Sequence, residues 1–262
     1  MKNTNTPGFL VYGSIGVSAV VLLSLYLYLQ NQKEKIPTIS VTEIQENTQK
    51  PTQTEVTTTE EETITPVTKK PLPTQINLAA PFYSQAPLGD WSYPWQEACE
   101  EASILLAANV YWKHNWTREE FNTEILKMVE WQKEKFGTYL DTTVAQTAQI
   151  VNDYLKLKTI THENPTYEDV VEILNKGHFI IMFFAGKELG NPNFTNGGPV
   201  YHVVLVKGYK NPNKIITHDV GTRNGADYIY TWDVLESAMH DFAIPMDSGK
   251  KRMLEVLPPQ IP

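Results

Sequence analysis

The chain has 262 residues, room for one or two domains, and its 22 Lys and Arg against 30 Asp and Glu leave a formal charge of -8. No block of Lys or Arg offsets that charge, so a nucleic-acid partner is excluded as a reading of the composition. Its one cysteine cannot close an internal disulfide, so an ordinary apolar core must hold the fold and the thiol is free.

After a short tail, residues 1–7, the run GFLVYGSIGVSAVVLLSLYLYL (8–29) carries no charge and matches the length of a bilayer span. A cleaved secretory signal would have a shorter apolar stretch and end in small residues; this one ends in bulky LYLYLQNQ. The expectation is therefore a single uncleaved membrane helix. Lys2 flanks it on one side and Lys33 and Lys35 on the other, which encodes orientation weakly. An extracytoplasmic C-terminal domain is expected all the same, because long domains cross largely regardless of nearby charge. Residues 30–75 shift to Thr, Glu, Pro and Lys without aromatics, a composition with too little apolar surface to offset the entropy of ordering it. They read as a disordered stalk. The remainder, 76–262, holds all six tryptophans and is the size of one domain.

Within that domain, apolar residues at helical spacing predict a helix from Glu97 to Trp112. Thr117 and Glu120 form a capping-box pattern that opens a second, and further helices are expected at Thr142–Leu155 and Thr166–Asn175. Then come HFIIMFFA, YHVVLVKGY, KIITHDV, DYIYTW and RMLEVLP, β-branched and aromatic runs separated by Gly, Pro and Asn. Helices followed by strands indicate an α+β domain with N-terminal helices packed on a C-terminal antiparallel sheet. No glycine-rich nucleotide motif, HExxH or paired Cys is present, so no cofactor and no metal are expected.

Cys99 falls at the start of the first helix, where the positive end of the macrodipole favours a thiolate. Glu97, Glu100 and Glu101 share that helix start and read as capping charges. Glu97 and Glu101 project away from the Cys99 side, whereas Glu100 stands against a thiolate beside it. A cysteine nucleophile needs a base and a group to orient that base. Of the six histidines, His114 and His162 fall in polar connecting stretches, His178 and His218 bound apolar strands, and His240 follows a late helix. His202 opens a strand after a long flexible loop. If the Asn211–Pro212–Asn213 turn centres between Asn211 and Pro212, Gly221 lies opposite His202 and Asp219 opposite Val204. His202 and Asp219 then share a face as diagonal neighbours. A one-residue slip would separate them.

The stretches INLAAPFYSQAP, WQEACEEASILLA, YHVVLVKGY and HDVGT together resemble the double-glycine leader peptidase-like domains, a bacterial branch of the papain-like cysteine proteases. The resemblance implies that Cys99 attacks a carbonyl, His202 shuttles the proton and Asp219 orients the imidazole. It also implies an oxyanion hole built from the Gln85 side chain and the Cys99 backbone N–H. Two departures stand out: PLGDWSYPWQEA lengthens the spacing from Gln85 and makes Gln96 a rival, and Glu100 replaces the glycine that often follows the cysteine. The function expected is a membrane-anchored extracytoplasmic cysteine peptidase acting on a peptide or protein substrate, with no nucleic acid and with the membrane met through the N-terminal helix. A catalytically silent surface module holding a peptide or wall component is the alternative, and acyl transfer to an amine would use the same residues.

Overall fold

A computed structural model describes residues 71–260. The expected span at 8–29 and most of the expected stalk lie outside the described residues; among those described, no helix is long and apolar enough to cross a membrane. The domain starts slightly earlier than the composition indicates. Strand β1 is Gln75–Asn77, and the carbonyls of Pro73 and Thr74 already accept hydrogen bonds from Tyr209 Oη and the Asn211 amide.

Among the described residues, five α-helices follow in part the sequence pattern. Helix α1 is Cys99–Tyr111, preceded by a 3-10 turn at Trp95–Glu97. Helix α2 is Arg118–Phe136, α3 is Val144–Gln149 continued by a π-helical turn at Ile150–Tyr154, α4 is Tyr167–Asn175 and α5 is Trp232–Ala238. Capping boxes open α2, α3 and α4 through Thr117, Thr143 and Thr166, each satisfying amides that have no partner within the helix.

The other strands are β2 (Lys158–Glu163), β3 (Phe179–Ala185), β4 (Tyr201–Lys210), β5 (Lys214–His218), β6 (Tyr228–Thr231) and β7 (Arg252–Leu257). They form one antiparallel sheet in the order β2-β7-β3-β4-β5-β6, with β1 added along the far end of β4. Gly208 makes that addition possible, since a Cβ there would sit 2.4 Å from the Ile76 carbonyl oxygen.

The class is α+β, as expected, but the layering differs in two ways. Strands β1 and β2 interrupt the helices-first order, and β2 carries His162, which therefore belongs to a strand and not to a connecting stretch. The sheet is also covered on both faces. Phe179, Ile181, Phe183, Val203 and Leu205 pack with α1 and α2, while Ile180, Met182, Phe184, Val204 and Val206 pack with α4 and α5. All seven residues of β3 are buried, which explains why its sequence runs apolar without alternation. Helix α1 is enclosed nearly all round, buried from Cys99 to Asn109, as a helix without a polar face must be.

Candidate active site

Cys99 is the first residue of α1 and only 6% exposed. Its neighbours are not the solvent-facing capping charges expected from the sequence. Glu100 and Glu101 are each 1% exposed, because α1 is the central helix and has no outward face at its start. Glu101 is bonded by the Gln132 amide of α2, and burial pushes its carboxyl up to about 8. Glu101 thus points away from the thiol, as helical geometry requires. Glu100 does not: its Oε1 accepts from the Thr142 amide at 2.7 Å and its Oε2 accepts the Cys99 thiol at 3.0 Å. Burial raises the thiol well above its ordinary range, and the Glu100 charge adds to that, while the Val203 backbone acts in the opposite direction. The thiol is therefore held neutral, against the pull of the helix dipole.

His202 and Asp219 meet. Imidazole Nε2 is 2.8 Å from Asp219 Oδ1, and both residues are enclosed, at 1% and 0% exposure. The carboxylate accepts three further bonds, from the Gly221 amide at 3.1 Å, Tyr230 Oη at 2.6 Å and Asn191 Nδ2 at 2.9 Å. Burial alone would raise the Asp219 pKa, but the His202 charge and these donors outweigh it and hold the carboxyl below its usual range. An ionised Asp219 fixes the proton on Nε2 and leaves Nδ1 as the ring's acceptor. Gly221 is needed here for space, since a Cβ would fall 2.6 Å from His202 Cε1.

The register that produces this pair was anticipated, although by a different route. The β4–β5 hairpin pairs Lys210 with Lys214 and Tyr209 with Ile215, so its turn centres on Pro212, not between Asn211 and Pro212. Lys207 then forms a bulge, after which Val206 pairs with Thr217 and Leu205 with His218. Continued to the cleft, that alignment sets Gly221 against His202. The bulge removes the offset introduced by the turn.

The other histidines are occupied elsewhere. His218 receives the Asp227 amide on Nδ1 and reaches the Ala80 carbonyl through Nε2; burial lowers its pKa, consistent with a neutral structural ring. His162 and His178 both bond Glu255, and His114 stacks on Trp116.

Gln85, Cys99 and His202 line one cleft of about 580 Å³, with Trp91 and Phe194 among its walls. Phe194 and His202 meet at nearly right angles, with ring centroids 5.2 Å apart. Gln85 is buried, and its Nε2 donates to the carbonyls of Trp95 at 3.0 Å and Gln96 at 2.9 Å, pinning the turn that leads into Cys99. Its backbone amide also bonds the Val220 carbonyl, beside Asp219. Gln96 lines the cleft too, but its side chain is exposed and donates to Glu97. Tyr230 and Asn191, which complete the shell around Asp219, were not singled out in the sequence. Asn191 lies in the long loop before His202, and only the folded loop brings its amide to the carboxylate.

Over residues 77–243 the chain matches the family model described as Peptidase_C39 like family. The chain belongs to that family. Among solved structures, the crystal structure of a candidate C39-like peptidase from Bacillus anthracis is similar at 15% identity and a TM-score of 0.48, over 70% of this chain and 97% of that one. No curated protein matches the chain.

Proposed function

We propose that this Peptidase_C39-like domain is a cysteine hydrolase of peptide or amide bonds, in which Cys99 is the nucleophile, His202 the general base and acid, and Asp219 the orienting carboxylate. The observation that carries the reading is the buried His202–Asp219 pair opening onto the same cleft as a cysteine at a helix start. In the acylation step the thiol proton leaves Glu100's bond and passes to His202 Nδ1 as sulfur adds to the substrate carbonyl. The oxyanion that forms takes hydrogen bonds from the Cys99 amide and from Gln85 Nε2, one of whose hydrogens exchanges the Trp95 or Gln96 carbonyl for the substrate oxygen. The imidazolium then protonates the leaving amine as the C–N bond breaks, and water releases the acyl group by the same proton route in reverse. An amine acceptor in place of water would give transfer with no change of residues. We further propose that residues 8–29 anchor the protein in the membrane and that the domain works outside the cytoplasm.

The Glu100 bond to the thiol favours a second reading, a silent module that uses the cleft to hold a peptide or a wall component. Iodoacetamide labelling separates the two. Rapid modification of Cys99 that slows at least about tenfold in His202→Ala, together with cleavage of a peptide library, supports the hydrolase. Slow labelling independent of His202, with no cleavage, establishes the module.

A further inference from the structure

The chain has three arginines, and their placement is uneven. Arg252 is bonded to Glu163 and Asp241. Arg118 and Arg223 have no carboxylate within ion-pair distance among the described residues. Yet both line the same cavity, about 540 Å³ in volume, whose walls include Phe82, Tyr83, Pro87 and Leu88. They come from distant parts of the chain, Arg118 from the first turn of α2 and Arg223 from the loop that follows Asp219. In a protein with a formal charge of -8, two unpaired guanidinium groups gathered at one hollow call for an anionic guest.

The cavity adjoins the catalytic cleft. Ser84 and Ala86 line the cavity while Gln85, between them, lines the cleft, and Gly221 lines the cleft two residues before Arg223. The bond from the Gln85 amide to the Val220 carbonyl ties these two segments together. Gly89 borders the hollow beside the Arg223 guanidinium, on a backbone with φ of +86° that other residues seldom adopt. The hydroxyls of the wall are already committed, Tyr83 to the Trp116 carbonyl and Ser84 to the Ala86 carbonyl, so the arginines are the polar groups left for a ligand. The cleft itself is lined by Glu97 and Asp141 and by no Lys or Arg. The two spaces thus present opposite charges to a chain lying across Gln85.

We propose that this cavity is a carboxylate-recognition subsite for the substrate peptide, with Arg118 and Arg223 receiving an acidic side chain or a C-terminal carboxylate next to the bond held at Cys99. The assignment of the cleft as the reacting site is the reading given under Proposed function; the subsite rests on it for its purpose and is tested without it. Arg forks pair with carboxylates through charge-assisted bonds that an amide cannot replace. The full chain carrying Cys99→Ser is titrated with three series of short peptides: one internal Glu with an amidated end, the matched Gln peptide, and the Gln peptide with a free terminal carboxylate. Binding of the Glu series or of the free-acid series about tenfold or more above the amidated Gln peptide is expected, and whichever series gains identifies the source of the carboxylate. The preference should weaken with salt and invert toward Lys peptides in the doubly reversed Arg118→Glu, Arg223→Glu protein, whose circular dichroism checks its fold. Equal binding of all three series, or a preference untouched by the reversal, overturns the subsite. Failure of the wild-type chain to cleave any peptide overturns the hydrolase reading alone, since the binding series is scored without turnover.

Discussion

On β4, His202 meets Asp219; two strands away, His162 on β2 and His178 before β3 converge on Glu255 of β7. The carboxylates of both arrangements are buried, at 0% and 2% exposure, and burial opposes ionisation in each before the imidazole partners pull the pKa below its usual range. What separates them is the surroundings of the rings. Asp219 is held by Tyr230, Asn191 and the Gly221 amide as well as by one imidazole, and that imidazole lines a cleft with a thiol. Glu255 gives one oxygen to each of two partly exposed imidazoles, and none of the three residues borders the cleft. A histidine–carboxylate bond is a clamp in both places; only at His202 does the imidazole share a cleft with a thiol, which is where a proton relay is proposed.

The sharpest test of that distinction is Asp219→Asn. Removing the charge should leave the cleft in shape but deprive the imidazole of its fixed tautomer and of the anion that stabilises its charged form, lowering peptide turnover about 10²- to 10⁴-fold. Turnover within a factor of a few of wild type would reduce Asp219 to a clamp like Glu255.

Glu255→Gln should do the reverse, costing stability and sparing chemistry. A carboxylate whose folded pKa lies below its unfolded value contributes stability that is present above the unfolded pKa and is lost as pH falls through the folded one. Urea melts from neutral to acid pH should show wild type losing up to about 2 kcal/mol of this contribution, and Glu255→Gln starting lower with a flatter acid limb. Unchanged Cys99 labelling in that variant is the accompanying expectation. A fall in labelling would tie the two arrangements together.

The smallest effect is expected at Glu100. Its charge follows burial among the causes that raise the Cys99 pKa, so Glu100→Gln should lower that pKa, enlarge the thiolate fraction near neutral pH and speed alkylation there by roughly tenfold. Slower alkylation would instead mark Glu100 as a group that helps remove the thiol proton.

The parts of this molecule written in local residue patterns were legible before folding. Thr117 and Glu120 announce a helix start through atoms three residues apart, and the His202–Asp219 contact was within reach of hairpin arithmetic, the turn and the bulge shifting the register in opposite directions. The Glu255 arrangement was not legible, because it depends on β7 lying between β2 and β3, an order that no neighbouring pair of elements encodes. The edge strand β2, KTITHE, has a single large apolar residue, Ile160, which is itself exposed, and so imitates a loop. The burial of Glu100 and Glu101 was hidden for the opposite reason: acidic residues at a helix start have an ordinary solvent-facing explanation, and only the enclosure of α1 from every side removes it.

Lys207 carries a consequence for changes in chain length. As the extra residue of the β4 bulge it is pinned, its ammonium bonded to Asn77 and Asp227 and its carbonyl to the Leu78 amide. Were the bulge to straighten with the turn unchanged, Asp219 would move opposite Leu205, and the parity of the strand would turn its carboxylate away from His202. Deleting Lys207 itself would preserve the pairing at the cleft, because Val206 would still meet Thr217 next to the Gly208–Ile216 pair. The buried lysine is thus the residue that keeps the count along this hairpin.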